Sequence, residues 1–227
     1  DLTRSRGLGD VYKRQGMMNQ FDSVNEVLMR VGALPRFTTN EMSYYLSWST
    51  NGLINEYCNE ADAIYEGKSV KVMPLEGAEK IVIEGESFEA FNTSGGCATM
   101  CETFEGEVQN LSYKTIRYPG HLNHMKFLFN DLHLKKNKDV LEKLFDKEVP
   151  RTKNDVIIFF VKVIGLIDGV LQEKTYLRKI YGDEKFSAIQ LTTASGVCSA
   201  LKMFLDGKIT NKGCLLYTSP SPRDRVR

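Results

Sequence analysis

The chain has 227 residues, of which 42% are hydrophobic, 26% charged and 10% aromatic, and its formal net charge is +1. This composition is typical of a folded globular protein and excludes disordered and collagen-like chains. The near-neutral charge argues against binding of nucleic acid by bulk electrostatics. The longest apolar stretch, 156–167, is interrupted by Lys162 and Gly165, so we expect no membrane-spanning helix and a cytoplasmic protein.

Both ends of the chain resemble translated sequencing-adapter DNA. Residues 10–15 read Asp-Val-Tyr-Lys-Arg-Gln, and residues 214–224 read Cys-Leu-Leu-Tyr-Thr-Ser-Pro-Ser-Pro-Arg-Asp. The two matches stand in the order that a library insert would produce. We therefore interpret 1–15 and 214–227 as adapter-derived and 16–213 as one natural domain. A genuine flexible tail at each end is the alternative interpretation.

The first half of the chain predicts short strands around two short helices. Strands are predicted at 26–31, 61–65, 70–73, 80–84, 88–91 and 108–118, and helices at 51–57 and 97–104. Turn residues separate these segments: Glu66-Gly67-Lys68 is typical of a hairpin, and Pro119-Gly120 ends the last strand.

The second half begins with a helical period and continues with a long hairpin. Apolar residues at 3–4 spacing predict helices at 121–132 and 140–145. An apolar, β-branched strand at 155–167 precedes the turn Asp168-Gly169 and a second strand at 170–180, which together form a strong hairpin signal. A helix at 187–205 follows. Because hairpins outnumber β-α-β units, we predict an α+β fold with a mixed, mostly antiparallel sheet and helices on one face.

The cysteines and histidines do not form a metal-binding pattern. The four cysteines within 16–213 are Cys58, Cys97, Cys101 and Cys198. None belongs to a closely spaced zinc-type pair, so we expect all four to be reduced and largely buried. His121 and His124 could share one helix face, but no third ligand is near in sequence, and we predict no metal.

Three polar clusters interrupt patterns that otherwise predict a core, and no glycine-rich nucleotide loop or nucleophile motif is present. In the first cluster Trp48 lies among hydroxyls and is either a core residue or the wall of a ligand site. In the second, Ser94 precedes two glycines in a turn whose backbone N–H groups could bind an anion, or which is an ordinary turn. In the third, Arg117 ends a strand and could bind a carboxylate or form a surface salt bridge.

These clusters, in this order, resemble the saccharopine dehydrogenase family, in its carboxy-terminal substrate-binding half. The matching runs are Val31-Gly-Ala-Leu-Pro35, Tyr45-Leu-Ser-Trp-Ser49, Gly52-Leu-Ile-Asn-Glu-Tyr57, Phe91-Asn-Thr-Ser-Gly-Gly96, Asn110-Leu-Ser-Tyr-Lys-Thr-Ile-Arg-Tyr-Pro-Gly-His121 and Ala188-Ile-Gln-Leu-Thr-Thr-Ala-Ser-Gly-Val197. The resemblance covers essentially all of 16–213.

The resemblance implies a role in oxidation at a carbon–nitrogen bond of a small amino-acid substrate. It implies NAD or NADP, bound mainly by a Rossmann domain upstream that this chain lacks, and a homodimer formed largely through this domain. Thr115, Ile116 and Arg117 resemble the family's substrate clamp, and Trp48 resembles its tryptophan near substrate and nicotinamide. Ser94 occupies a position where some members have a substrate-contacting arginine, which puts the exact substrate in doubt. No residue is assigned as the catalytic acid or base.

Three functions are compatible with these observations. The first is the substrate-binding half of a saccharopine dehydrogenase in lysine metabolism, inactive as an isolated fragment. The second is a relative in the same family, such as lysine 6-dehydrogenase or a carboxyspermidine-forming dehydrogenase. The third is a non-catalytic binding or dimerisation domain, in which Arg117 is merely structural.

Overall fold

A computed structural model describes residues 17–18 and 20–207, and within them one mixed sheet organises the fold. The strands are β1 (Ser23–Pro35), β2 (Ala61–Tyr65), β3 (Lys68–Val72), β4 (Glu79–Ile83), β5 (Glu86–Phe91), β6 (Val108–Arg117), β7 (Asp155–Ile167) and β8 (Val170–Tyr181). The helices are α1 (Thr50–Cys58), α2 (Met100–Phe104), α3 (His121–Lys126), α4 (Lys138–Glu148) and α5 (Ala188–Leu205). A π-helical turn (Phe127–Asp131) continues α3, and a 3₁₀ turn (Leu134–Lys136) precedes α4.

The predicted fold class is confirmed, since the sheet is mixed and mostly antiparallel. Its strand order is β3-β2-β6-β1-β7-β8, with the β4–β5 hairpin joined to β6 through β5. Only β1 and β6 pair in parallel among the described strands. The β7–β8 hairpin turns at Asp168 and Gly169, whose φ angles of 52° and 74° are those of the tight turn that Asp-Gly predicts. Because the last residues of β6 pair with β1 on one side and with β5 on the other, the end of β6 lies between these two strands.

The register of the central strands determines which side chains face the helices. Thr115 of β6 pairs with Val31 of β1 and with Phe91 of β5, so these three side chains share one face of the sheet. Arg117 lies two residues after Thr115 and shares that face. Phe91 packs there with the helical residues Leu53, Tyr57, Leu122, Phe129, Leu141 and Phe145. The sequence therefore brings helices α1, α3 and α4 over the end of β6.

The opposite face carries a charged group of its own. Arg30 of β1 is buried beside Lys114 of β6, and both pair with the carboxylate of Glu79. Arg30 also donates through Nη1 to the carbonyls of Met29 and Ser112. The sheet thus separates two buried arginines, Arg30 on this face and Arg117 on the helical face.

Helix α5 packs on the sheet through its N-terminal part, in which Ala188 and Thr192 are buried. The side chain of Ser187 caps it, and Ala188 and Ile189 contact Ile157 of β7. Exposed apolar residues occupy its second half: Val197, Leu201, Phe204 and Leu205. By length and composition alone this helix is apolar enough to cross a membrane, contrary to the expectation from the sequence, because its apolar residues are not in one uninterrupted run. The same composition is typical of a helix that packs on a further protein surface.

The cysteine prediction is confirmed for three residues and wrong for one. All four described cysteines are free; Cys58, Cys97 and Cys101 are buried. Cys198 is exposed because it lies on α5 beyond the part that packs on the sheet. The proposed adapter segments, 1–15 and 214–227, lie outside the described residues.

Candidate functional site

The site is built around Arg117, whose side chain is buried to 2% exposure at the end of β6. Pro119 and Gly120 stop the strand there, and Gly120, with φ of 95°, turns the chain directly into α3. The guanidinium Nε donates to the Tyr57 hydroxyl oxygen at 2.9 Å. Its Nη1 donates to Thr115 Oγ1 at 2.8 Å and to the carbonyl of Ile116 at 2.9 Å. Two of the three guanidinium nitrogens are thus held by the protein.

A neutral histidine completes the hydrogen bonds of Tyr57. The Met42 carbonyl, 2.9 Å from His121 Nδ1, can only accept, so Nδ1 carries the proton. Burial and the charge of Arg117 lower the pKa of His121 to about 3, so its Nε2 is unprotonated at neutral pH. Nε2 therefore accepts from the Tyr57 hydroxyl at 2.9 Å. Tyr57 donates to His121 and accepts from Arg117, so a relay of hydrogen bonds runs from Arg117 Nε through the Tyr57 hydroxyl and His121 to the Met42 carbonyl.

The third guanidinium nitrogen of Arg117 faces a carboxylate that it does not reach. Nη2 lies 3.9 Å from Glu56 Oε2, beyond hydrogen-bond distance. Burial works against the charge of Arg117, but Tyr57, Tyr44 and Glu56 together raise its pKa, so the guanidinium stays ionised. Burial raises the pKa of Glu56 to about 7, against the opposing charge of Arg117. The Glu56 side chain is 28% exposed and forms the open side of the site.

Trp48 joins the same network through Tyr44. Its Nε1 donates to the Tyr44 hydroxyl at 3.2 Å, and the Tyr44 ring centroid lies 5.4 Å from Arg117 Cζ. The indole ring also lies against α1, where a Cβ added at Gly52 would come within 2.5 Å of it. Gly52 is therefore required for the position of Trp48. The sequence left open whether Trp48 is a core residue or a ligand wall, and its half-buried position beside Arg117's partner is compatible with both.

Ser94 is hydrogen bonded to the last turn of α1, which contains Glu56. Its backbone N–H donates to the Glu56 carbonyl at 3.1 Å, and its Oγ donates to the Asn55 carbonyl at 3.3 Å. The expectation that this turn offers free N–H donors to an anion is wrong for Ser94, because the peptide N–H is taken by the helix end. The neighbouring Thr93 is buried, and its Oγ1 has no hydrogen-bond partner among the described residues; the same holds for Ser47 Oγ.

Of the five sequence-predicted residues, Thr115 and Ile116 bind Arg117 directly, Trp48 is linked to it only through Tyr44, and Ser94 is hydrogen bonded only to the backbone of α1. Two expectations need correction. Arg117 was expected at an exposed strand end, but it is buried because α1 and α3 close over the end of β6. Ile116 contributes its carbonyl alone, since its side chain packs on the opposite face with Leu34 and Phe88. Thr115 holds Arg117 through its hydroxyl.

Four residues of the network were not assigned a role from the sequence: Tyr44, Glu56, Tyr57 and His121. Glu56, Tyr57 and His121 stand within the runs that carry the family resemblance, which was the available signal. Tyr44 precedes its run by one residue, and nothing in the pattern distinguishes it from Tyr45.

The histidines do not form a metal pair. Both nitrogens of His121 are hydrogen bonded, and His124 Nδ1 lies 2.8 Å from the Gly120 carbonyl. Within the described ranges no group of three His, Cys, Asp or Glu residues is placed to hold a metal ion.

Known proteins resemble this chain in both sequence and fold. The family model of the saccharopine dehydrogenase C-terminal domain matches residues 7–223. Among solved structures, the apo histidine-tagged saccharopine dehydrogenase (L-Glu forming) from Saccharomyces cerevisiae is similar, with a TM-score of 0.69 and 16% identity. That match covers 90% of this chain and 64% of the yeast chain, so the chain spans less than two thirds of its relative's length.

Removal of Arg117 is predicted to destabilise the fold. Arg117→Ala leaves Tyr57 Oη, Thr115 Oγ1 and the Ile116 carbonyl without their buried donor, and should lower the free energy of unfolding by about 3–5 kcal/mol. The matched control is Arg151→Ala, which removes an exposed ion pair and should cost less than about 1 kcal/mol. Urea unfolding of both variants measures the difference. Equal, small losses would show that the network does not support the fold.

The buried His121 predicts a specific pH dependence of stability. Its folded-state pKa of about 3 lies below the ordinary value, so as the pH falls the unfolded chain takes up the proton first, and the protein loses stability. Relative to His121→Gln, the wild type should lose about 2 kcal/mol between pH 6.5 and 5. Glu56 contributes the opposite slope, but it is present in both proteins and cancels. Chemical unfolding at several pH values checks this, and parallel pH profiles would contradict a neutral, buried His121.

Proposed function

The chain belongs to the saccharopine dehydrogenase C-terminal domain family, and from this membership we propose that it supplies the substrate-binding half of an NAD(P)-dependent oxidoreductase. The proposed reaction is oxidation at the carbon–nitrogen bond of saccharopine. The observation that carries the proposal is the buried, ionised Arg117, of which only the Nη2 edge is left for a ligand. A fixed guanidinium in a water-poor site is suited to binding a substrate carboxylate.

The residues of this chain would bind and orient the substrate. Thr115, Ile116 and Tyr57 hold the guanidinium in one orientation, so that a carboxylate on Nη2 is placed at a defined point beside the helices. Trp48 would shield the site from water through its ring. Ser94 would act indirectly, because it holds the backbone of Glu56. This orientation of the substrate is what hydride transfer requires of a binding domain.

The dinucleotide would be bound by a further domain of the same protein. The described residues contain no G-x-G-x-x-G turn between a strand and a helix, which is the arrangement that receives a pyrophosphate. The Gly95-Gly96 turn between β5 and α2 lacks that spacing. NAD or NADP, when bound, would accept the hydride. We propose in addition a homodimer and a cytoplasmic location, both on the basis of the family resemblance.

A related enzyme of the family is the second candidate, and the charges of the site favour it. Saccharopine carries three carboxylates, whereas Arg117 is the one buried cation that the described residues place at this site, with Glu56 opposite it. Ser94 stands where some members carry a further arginine. A substrate with a single carboxylate, such as lysine, matches these charges better. A non-catalytic binding domain is the third candidate.

The product of the complete gene tests the proposal. It should reduce NAD⁺ or NADP⁺ with one of saccharopine, L-lysine or carboxyspermidine, followed by nicotinamide absorbance. Arg117→Lys should lower kcat/KM by about 30- to 1000-fold, because an ammonium cannot reproduce the fixed fork of donors. Arg151→Lys, at an exposed site, is the control and should be unaffected. Absence of all three activities would favour the non-catalytic domain, and near-normal kcat/KM in Arg117→Lys would show that Arg117 does not bind the substrate carboxylate.

A further inference from the structure

Arg117 and Glu56 are opposite charges that face each other without a direct hydrogen bond between them. Every other polar contact of the guanidinium lies within 2.9 Å, whereas Nη2 and Glu56 Oε2 stand 3.9 Å apart. We propose that this pair binds an α-amino acid group as a zwitterion, with the carboxylate on Arg117 Nη2 and the ammonium on Glu56. Glu56 is then the residue that selects for the amino group. This inference rests on the proposed function only in taking the ligand to be an amino acid.

The spacing of the pair suits two ligand groups placed side by side. In an α-amino acid one carbon carries both the ammonium and the carboxylate, so the two groups are neighbours. With charge-assisted hydrogen bonds of about 2.8 Å to each protein partner, they close a four-cornered ring of alternating charge over the 3.9 Å gap. Each charge then has an opposite charge on both sides, and the net charge of the site does not change. Desolvation of the ligand is thereby compensated.

The exposure of the two side chains defines how a ligand enters. Arg117 is 2% exposed and Glu56 28% exposed, so of the two facing groups Glu56 is the one that solvent reaches. The backbone of Glu56 is fixed, because its carbonyl accepts from the Ser94 N–H and it lies within α1. Only the Glu56 side chain can therefore move aside. An incoming ammonium gives the displaced carboxylate a new partner, which a ligand without an amino group cannot do.

Glu56 also acts against ligands that carry a carboxylate alone. Such a ligand would place a second negative charge beside Glu56 and would compete with it for Arg117. A ligand with an amine alone would meet Arg117 without a compensating carboxylate. Arg117 attracts the carboxylate and repels the ammonium, whereas Glu56 attracts the ammonium and repels the carboxylate. A ligand that carries both groups is therefore favoured over a ligand that carries only one.

Three ligands of the same chain length separate these contributions: L-norleucine carries both groups, hexanoate lacks the amino group, and pentylamine lacks the carboxylate. The titrations are made at about pH 8.5, where Glu56, with its pKa of about 7, is ionised. We expect the 227-residue chain to bind L-norleucine at least about 10-fold more tightly than either of the others, measured by backbone-amide NMR titration. Glu56→Gln should weaken L-norleucine by about 10-fold, because the partner of the ammonium loses its charge. The same variant should bind hexanoate more tightly than the wild type, because the competing carboxylate is gone.

The opposite changes for the two ligands distinguish recognition from structural damage. A Glu56→Gln protein that is merely loosened would lose affinity for both, and that result would overturn the proposal. The matched control is Glu79→Gln, which alters the equivalent pair with the buried Arg30 on the opposite face of the sheet, and it should leave the affinity for all three ligands unchanged.

Two further outcomes are decisive. Equal affinity of the wild type for L-norleucine and hexanoate, or no binding of either, would overturn the proposal even if the complete gene product is an active dehydrogenase. Selective binding of L-norleucine together with inactivity of the complete gene product would instead support zwitterion recognition by a non-catalytic domain.

Discussion

A permanently charged guanidinium in the interior is the constraint on which the site depends. Arginine cannot give up its proton in a protein, so the fold has to supply acceptors wherever it buries one. At Arg117 the acceptors come from the strand itself, through Thr115 Oγ1 and the Ile116 carbonyl, and from helix α1, through Tyr57. Burial of this charge therefore ties the end of β6 to a helix that lies sixty residues away in sequence.

Burial and this charge together set the protonation of His121. His121 is kept neutral by burial and by Arg117, so its Nε2 accepts a hydrogen bond from the Tyr57 hydroxyl and its Nδ1–H donates one to the Met42 carbonyl. These hydrogen bonds join helix α3 to helix α1 and to the loop that precedes α1 and contains Met42. One edge of the guanidinium lies outside this fully bonded relay and faces the partly exposed Glu56. The hydrogen-bonded side of the arginine joins β6 to α1, and the other side is the one that we propose for ligand binding.

Local patterns were sufficient for the sheet, whereas the site depended on contacts that no local pattern encodes. The bounds of β7 follow from its apolar, β-branched run, and the turn to β8 follows from Asp168-Gly169. The exposure expected for Arg117 was wrong because a strand that ends at Pro119-Gly120 does not reveal which helices close over it. Glu56 reads as one more acidic residue on a short helix until the fold places it opposite Arg117. The family resemblance identified the sequence runs that contain Glu56, Tyr57 and His121. It did not identify which residues of these runs contact Arg117 or one another.

The most direct measurement of this account is side-chain ¹⁵N NMR of Arg117, with its resonances assigned by comparison with Arg117→Lys. Without ligand, the Nε–H signal should be protected from exchange with water, because Tyr57 accepts from it. Addition of L-norleucine should shift the Nη resonances and leave the Nε–H protected, since the ligand binds only the free edge. An Nε–H signal that exchanges rapidly, or Nη signals that do not respond while others in the protein do, would contradict a guanidinium held on one side and available on the other.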